Sequence, residues 1–160
     1  MNGSAWFRRA AALGAAATSL VACGSESSPP PSSLCPSDME PTFASIDEHL
    51  LSKSCGTDGS TCHSAEGSLD SGELDLQSDP YGSLLGSGSG APASNIAGSA
   101  RGLVRVSPGK PDESFLVIKL RTKTLADPSY GAGMPRTAPG ALCESALSAV
   151  EEWIRNGAAR

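Results

Sequence analysis

Two cysteines and a histidine form the pattern in this chain that points most directly to chemistry. They are Cys55, Cys62 and His63, in the segment Cys55-Gly-Thr-Asp-Gly-Ser-Thr-Cys62-His63. Two thiols can capture the two vinyl groups of a haem as thioethers, and an imidazole directly after the second thiol can ligate the iron. The usual form of this pattern has two residues between the cysteines, whereas this chain has six. The segment predicts covalent haem attachment through a longer loop, which costs more closure entropy.

Met134 is the candidate ligand for the iron face opposite His63. It lies in the segment Gly131-Ala-Gly-Met134-Pro135 between the third and last predicted helices. Glycines allow the backbone to approach a porphyrin closely, and proline restricts the turn. Methionine sulfur is a soft ligand that favours ferrous iron and raises the reduction potential. A haem carrier would therefore use His63 and Met134 as axial ligands, whereas Met134 taken alone is a packing residue.

The same residues allow other chemistry. Cys55 and Cys62 could form a local disulfide that closes an eight-residue loop, with His63 at the surface. Together with His63 they could bind structural zinc, although no fourth ligand is evident and such sites use four. His49, near the end of the first predicted helix, is either an alternative iron ligand or a solvated helix residue.

The N-terminal segment predicts export and lipid anchoring. Arg8 and Arg9 precede the apolar run Ala10 to Ala22, which as a helix is too short for the ~30 Å hydrocarbon core of a bilayer. The run ends in Leu20-Val21-Ala22-Cys23, which resembles the lipobox of bacterial lipoproteins; an ordinary cleaved signal with an incidental cysteine is the alternative. We expect residues 1–22 to be a signal peptide and Cys23 to carry the lipid.

Residues 23–41 are rich in serine and proline, which is typical of a solvated tether. Gly24, in place of an aspartate, favours the outer membrane by resemblance to Gram-negative lipoproteins, with the domain facing the periplasm or the cell surface. Removing residues 1–22 takes away two arginines and no acid, so the formal charge changes from −5 to −7. An acidic chain without a cluster of lysines and arginines has no electrostatic footprint for nucleic acid. Residues 42–160 are expected to form one domain.

Four cysteines remain after Cys23, in a compartment where disulfides persist. They allow three pairings, or one disulfide together with two cysteines bound to another group. We interpret Cys35 and Cys143 as a disulfide that ties the tether to the start of the last helix.

The hydrophobic pattern predicts a small all-α domain with long loops. The third helix is expected to bury Phe115, Leu116, Ile118 and Leu120. The aromatic content of the chain is low, 4%, which leaves room in the core for a planar apolar group. The predicted helices are residues 43–54 with Thr42 as N-cap, 81–85 after Asp79 and Pro80, 111–121 from Pro111, and 142–156 with Gly157 as C-cap.

Several short segments, taken in order, carry a family resemblance. They are Phe43 to Leu51, Cys62-His63-Ser64, Leu74-Asp75-Leu76, Tyr81, Val106-Ser-Pro-Gly109, Pro111 to Leu120, Met134-Pro135 and Trp153 to Ala158. The chain is similar in these segments to the small cytochrome c-type domains of exported proteins in myxobacteria and planctomycetes. The resemblance implies a cytochrome c-like helical fold, haem c attached at Cys55 and Cys62, axial ligands His63 and Met134, and electron transfer with redox partner proteins.

The sequence also has to be weighed against two function classes other than an electron carrier. A haem-free binding or structural module of the cell envelope would keep the same fold, with Cys55–Cys62 and Cys35–Cys143 disulfides. A hydrolytic enzyme finds no support, because the sequence shows no nucleophile–base pair and no phosphate-binding glycine loop. We therefore expect a protein that carries electrons and is not itself an enzyme.

Overall fold

The computed structural model describes residues 34–55, 62–64, 72–86 and 102–160. The predicted signal peptide, Cys23, the tether as far as residue 33 and the loop 56–61 lie outside these ranges. The described ranges are helical, with two isolated β-bridges and no strand, as the all-α prediction requires. None of the helices in this part of the chain has the length and hydropathy needed to span a bilayer.

The first helical unit begins as helix α1, Phe43–Ile46. Thr42 is its N-cap, as predicted, because the threonine hydroxyl accepts a hydrogen bond from the Ser45 N–H at 3.4 Å. The helix continues without a break as a π-helical segment, Asp47–Cys55. The apolar positions that predicted this unit are all buried: Phe43, Ile46, Leu50 and Leu51.

The π-helical segment departs from the regular helix that the sequence suggested. The Ser52 hydroxyl donates to the Asp47 carboxylate at 3.1 Å, and this separation of five residues matches the hydrogen-bond period of a π-helix. The segment ends at Cys55. The wider helix therefore leads directly to the first cysteine of the candidate site.

Helix α2 is Pro80–Leu85 and begins where the sequence indicated. The Asp79 carboxylate caps it by accepting from the Gly82 N–H at 3.1 Å, and Pro80 occupies the first helical position. Its last two residues, Leu84 and Leu85, are buried in the core.

Helix α3 is Phe115–Arg121, and the prediction that it starts at Pro111 is wrong. Pro111–Glu113 is a separate 3₁₀ turn, and Ser114 between the two has an extended backbone. The buried Ser114 hydroxyl donates to the Lys110 carbonyl at 2.9 Å and accepts from the Ser107 N–H at 2.9 Å. These local bonds compete with helical ones and delay the start of the helix.

The later start also changes which side chains of α3 are covered. Phe115 and Leu120 are buried as predicted, and Val117 is buried as well. Leu116 and Ile118, also predicted to be buried, are only partly covered. Leu116 is partly exposed because it lines a cavity beside the helix.

Helix α4, Glu144–Arg155, presents an apolar face to the core. The helix starts two residues later than predicted, and its C-cap is Asn156; Gly157, predicted in that role, follows with a positive φ of 97°. The Ala158 N–H donates to the Trp153 carbonyl at 2.9 Å and the Gly157 N–H donates to the Ile154 carbonyl at 3.0 Å. This pair of bonds is a Schellman motif, which satisfies carbonyls at the end of the helix.

The predicted disulfide between Cys35 and Cys143 is present, with 5.1 Å between the two Cα atoms. The Cys143 N–H donates to the Leu34 carbonyl at 3.1 Å, and Leu34 is only 2% exposed. The end of the predicted tether therefore packs against the start of α4. Phe43, which lies 4.9 Å from Tyr81 and 5.6 Å from Trp153 between ring centroids, joins α1, α2 and α4.

Candidate functional site

A cavity of about 220 Å³ lies between the first helical unit, residues 72–76, α3 and residues 132–136. This volume lies below the usual range of small-molecule pockets, ~300–1,000 Å³. Most of its wall is apolar. The apolar lining residues are Leu50, Leu51, Leu74, Leu76, Leu84, Phe115, Leu116, Leu120 and Ala132.

Three of the residues that the sequence singled out for haem binding also line this cavity: Cys55, His63 and Met134. They come from three different segments of the chain. Three cationic side chains complete the polar part of the wall, namely Arg105, Lys119 and Arg136, and the described part of the lining contains no carboxylate.

The His63 side chain has a defined tautomer. Its Nδ1 lies 3.3 Å from the carbonyl oxygen of Leu74. A carbonyl oxygen can only accept, so Nδ1 carries the hydrogen and Nε2 has the lone pair. Histidines that bind metals are usually held in this way, with one ring nitrogen donating to a carbonyl or carboxylate and the other on the metal.

The His63 backbone is held on both sides of its Cα atom. Its N–H donates to the carbonyl of Cys55 at 3.2 Å, and its carbonyl accepts from the Leu76 N–H at 2.7 Å. The six residues between the cysteines therefore do not separate His63 from the end of the π-helical segment. The loop length that weakened the sequence pattern is compatible with a short distance between Cys55 and His63.

Burial lowers the pKa of His63, which is only 8% exposed. The hydrogen bond to Leu74 raises the pKa, while the positive charges of Arg105 and Lys119 lower it. The net effect is a lowered pKa, which favours the neutral imidazole. Only the neutral form can offer Nε2 to a metal.

The two cysteines lie in different surroundings. Cys55 lines the cavity, and burial, with a smaller effect of Cys62, raises the pKa of its thiol from 9.0 to about 12. Cys62 is exposed and is not part of the cavity wall. Both are thiols, so the local disulfide considered from the sequence is not formed. Within the described ranges no three histidine, cysteine or acidic side chains group as metal ligands, so the zinc alternative gains no support.

The backbone around Met134 is fixed by hydrogen bonds to α3 and to the chain that follows it. The Met134 N–H donates to the Lys119 carbonyl at 2.8 Å, and the Gly133 N–H donates to the Thr124 carbonyl at 2.7 Å. A Cβ atom at Gly133 would collide with the carbonyl of Thr122. The sequence suggested that these glycines allow a porphyrin to approach, but Gly133 is needed for contact between two backbone segments.

Lys119 fastens the same loop through its side chain. Its ammonium donates to the carbonyl of Tyr130 at 3.0 Å and to the carbonyl of Ala132. Burial lowers the pKa of Lys119, and the nearby Asp127 carboxylate opposes this shift. The sequence does not reveal this role of Lys119, because the carbonyls that it binds belong to a later loop and come close only in the folded chain.

Arg105 is a second residue that the sequence analysis missed. It is half-buried, and its guanidinium donates to carbonyls of both α2 and the loop that precedes it. A signal was available, because Arg105 is the only charged residue in the apolar stretch Leu103 to Val106.

The cavity therefore brings together a neutral imidazole, a thioether and a thiol within apolar walls. His49, the alternative ligand, is half-exposed and does not line it. This donor set fits a haem, because histidine nitrogen and methionine sulfur are the axial ligands of many electron-carrying haems. The chain has no significant match among protein-family models, curated proteins or solved structures.

Proposed function

We propose that this protein is a haem-binding electron carrier with a cytochrome c-like helical fold. The observation that carries the proposal is the convergence of Cys55, His63 and Met134 on one apolar cavity. These residues were singled out for haem binding from the sequence, and Met134 lies 71 residues beyond His63 along the chain.

The state of His63 supports the role of proximal ligand. Its Nδ1 hydrogen is committed to the Leu74 carbonyl, so Nε2 remains for iron. The lowered pKa keeps the imidazole neutral at physiological pH. Three hydrogen bonds through the backbone and the ring fix its position before any ligand binds.

Met134, which lines the same cavity, would supply the second axial ligand. A bound haem supplies one-electron exchange between ferric and ferrous iron. The Met134 sulfur would favour the ferrous state of such a haem, and the leucines of the wall would limit the access of water, which also raises the potential.

Cys55 and Cys62 would attach the haem covalently. Each thiol adds its S–H across one vinyl group, forming one C–S bond and one C–H bond with no leaving group. Cys55 is already in the cavity wall, whereas Cys62 lies exposed beside His63. Cys55 is therefore the better supported of the two attachment points.

The charges around the cavity fit the same ligand. Arg105, Lys119 and Arg136 line it in a chain whose formal charge is negative. A haem carries two propionate groups beside its large apolar surface. A wall that combines leucines with cations and no described carboxylate matches that combination of properties.

The proposed location follows from the N-terminal sequence. Residues 1–22 would direct export, and a lipid on Cys23 would anchor the domain to the cell envelope, with the outer membrane favoured by Gly24. The partners would be redox donor or acceptor proteins at that membrane.

The test is to produce the mature protein in a host with cytochrome c maturation machinery and to examine it after denaturation. We expect a haem-stained band and a peptide containing Cys55 and Cys62 with the added mass of haem. A Cys55→Ala variant should lose most of this attachment. The pyridine haemochrome spectrum of Cys62→Ala should shift to longer wavelength, because one vinyl group remains. A colourless wild-type protein would contradict the proposal and favour the haem-free envelope module.

A further inference from the structure

We propose that Arg105 is a positioning residue for the proximal ligand: it holds the backbone loop that orients the His63 ring. The consequence for a bound haem rests on the function proposed above, but the effect on the ring itself does not. Arg105 acts through the carbonyl of Leu74, which receives the Nδ1 hydrogen of His63.

The guanidinium of Arg105 connects two segments through backbone carbonyls. It donates to Ser83 in α2 at 2.8 Å, and to Gly72 and Glu73 at 3.1 Å and 3.2 Å. Leu74 follows Glu73 directly. Arginine suits this task because its planar group presents several N–H donors in a fixed arrangement.

The backbone conformation of Gly72 and Glu73 explains why this loop needs the hydrogen bonds from Arg105. Gly72 and Glu73 both have positive φ, 73° and 56°. A glutamate in this left-handed region is unfavourable and persists where its surroundings enforce it. The carbonyls of both left-handed residues accept from Arg105, immediately before the carbonyl that orients His63. Without these bonds the loop would relax towards common conformations and displace the Leu74 carbonyl.

Arg105 could instead act only by charge, since its positive charge acts on His63 and it lines the same cavity. The two roles predict different results. A charge effect would be preserved by lysine at position 105, and the exposed Arg136 serves as a control for loss of another cation from the cavity wall. A positioning effect would be specific to Arg105 and would be lost in part with lysine, which cannot reproduce the planar set of donors.

The decisive experiment uses nitrogen NMR of the histidine rings in the haem-free protein. At about pH 8 the His63 imidazole is neutral, because burial lowers its pKa below the ordinary ~6.5. The chain has two histidines, so a His49→Ala background leaves only the His63 signals. We expect the Nδ1–H tautomer in wild type and in Arg136→Ala, and a mixture with Nε2–H in Arg105→Gln and, more weakly, Arg105→Lys.

A second variant separates positioning from general damage to the fold. Glu73→Gly removes the cost of the left-handed backbone, so it should restore the Nδ1–H tautomer in the Arg105→Gln protein. The proposal is overturned if Arg105→Gln keeps the wild-type tautomer, if Arg136→Ala changes it equally, or if Glu73→Gly restores nothing. If Arg105→Gln does not fold, Arg105→Lys with and without Glu73→Gly decides by the same criterion.

The haem-loaded protein gives an independent readout. Arg105→Gln should shift the reduction potential and the signals of the proximal ring while the methionine ligand stays bound. If the wild-type chain takes up no haem, the proposed function fails, whereas the tautomer measurements still decide the role of Arg105.

Discussion

The two walls of the cavity hold their candidate ligands in different ways. On the part of the wall that contains His63, called here the proximal wall, His63 makes three hydrogen bonds of its own, to Cys55, Leu74 and Leu76. On the part that contains Met134, called the distal wall, the Met134 backbone is fixed by one hydrogen bond to Lys119, and its side chain is positioned by packing. The candidate nitrogen ligand therefore has a specified tautomer and orientation, whereas the candidate sulfur ligand can adjust.

This difference follows from the chemistry of the two side chains. An imidazole has a second nitrogen through which the protein can set its orientation. A thioether is only a weak acceptor, so the protein can control it only through the backbone and through shape. Changes on the proximal wall should therefore decide whether haem is held, and changes on the distal wall should adjust its potential.

The largest expected effect is at the proximal ligand. His63→Ala should abolish low-spin haem and leave little holoprotein, because the covalent attachment would lack its adjacent ligand. His49→Ala is the matched control, since His49 is half-exposed and does not line the cavity. Absorption spectra of both variants measure the content of low-spin haem. An equal loss of low-spin haem in the two variants, or its full retention in His63→Ala, would contradict the different roles of the two walls.

The disulfide should stabilise both walls together. Cys35 and Cys143 are 108 residues apart, and closing a loop of that size contributes about 4–5 kcal/mol in the chain-entropy model. We expect the Cys35→Ala/Cys143→Ala protein to lose up to that amount in urea unfolding, while the visible spectrum of any holoprotein stays unchanged. A changed axial-ligand spectrum would show that the bridge also sets the site.

The raised pKa of Cys55 gives a prediction for the haem-free protein. At pH 8 a thiol of pKa about 12 has roughly 10³-fold less thiolate than one of pKa 9.0, so its alkylation should be slower by that factor. Its rate should rise about tenfold per pH unit up to about pH 12. Mass spectrometry of iodoacetamide-treated peptides measures this, and exposed Cys62 should react first. A Cys55 rate that levels off near pH 9 would refute the burial of its sulfur.

The distal ligand should change the potential and leave the haem in place. Met134→Ala should lower the reduction potential by on the order of 0.1 V, a modest part of the ~0.8 V that axial ligands span. Met39→Ala is the control, because Met39 packs against the core and is not in the cavity wall. Potentiometric titration compares the two. Equal potentials for wild type and Met134→Ala would exclude Met134 as a ligand.

The sequence predicted the parts of this structure that depend on local pattern. The N-caps Thr42 and Asp79 and the disulfide are present, and Gly157 has the left-handed backbone expected just after a helix, since each depends on residue type and position. The start of α3 was missed because Ser114 bonds to its neighbours in place of extending the helix.

The residues of the candidate site also divide into those that the sequence reveals and those that only the fold reveals. Cys55, His63 and Met134 could be found because their side chains carry recognisable chemistry. Lys119 and Arg105 were missed because they bind backbone carbonyls, which have no sequence signature and come close only in the folded chain. The exposed position of Cys62 also depends on the path of the fold and not on its residue type.

The central proposal is that His63 and Met134, which line one cavity, bind the same haem iron. Proton NMR of the ferrous holoprotein tests it directly, since the methyl group of a methionine bound to low-spin haem is shifted far upfield by the porphyrin. We predict one such methyl signal, absent from Met134→Ala and present in Met39→Ala, together with a single haem-bound imidazole that His49→Ala leaves intact. Absence of the shifted methyl from wild type, or its persistence in Met134→Ala, would contradict the account.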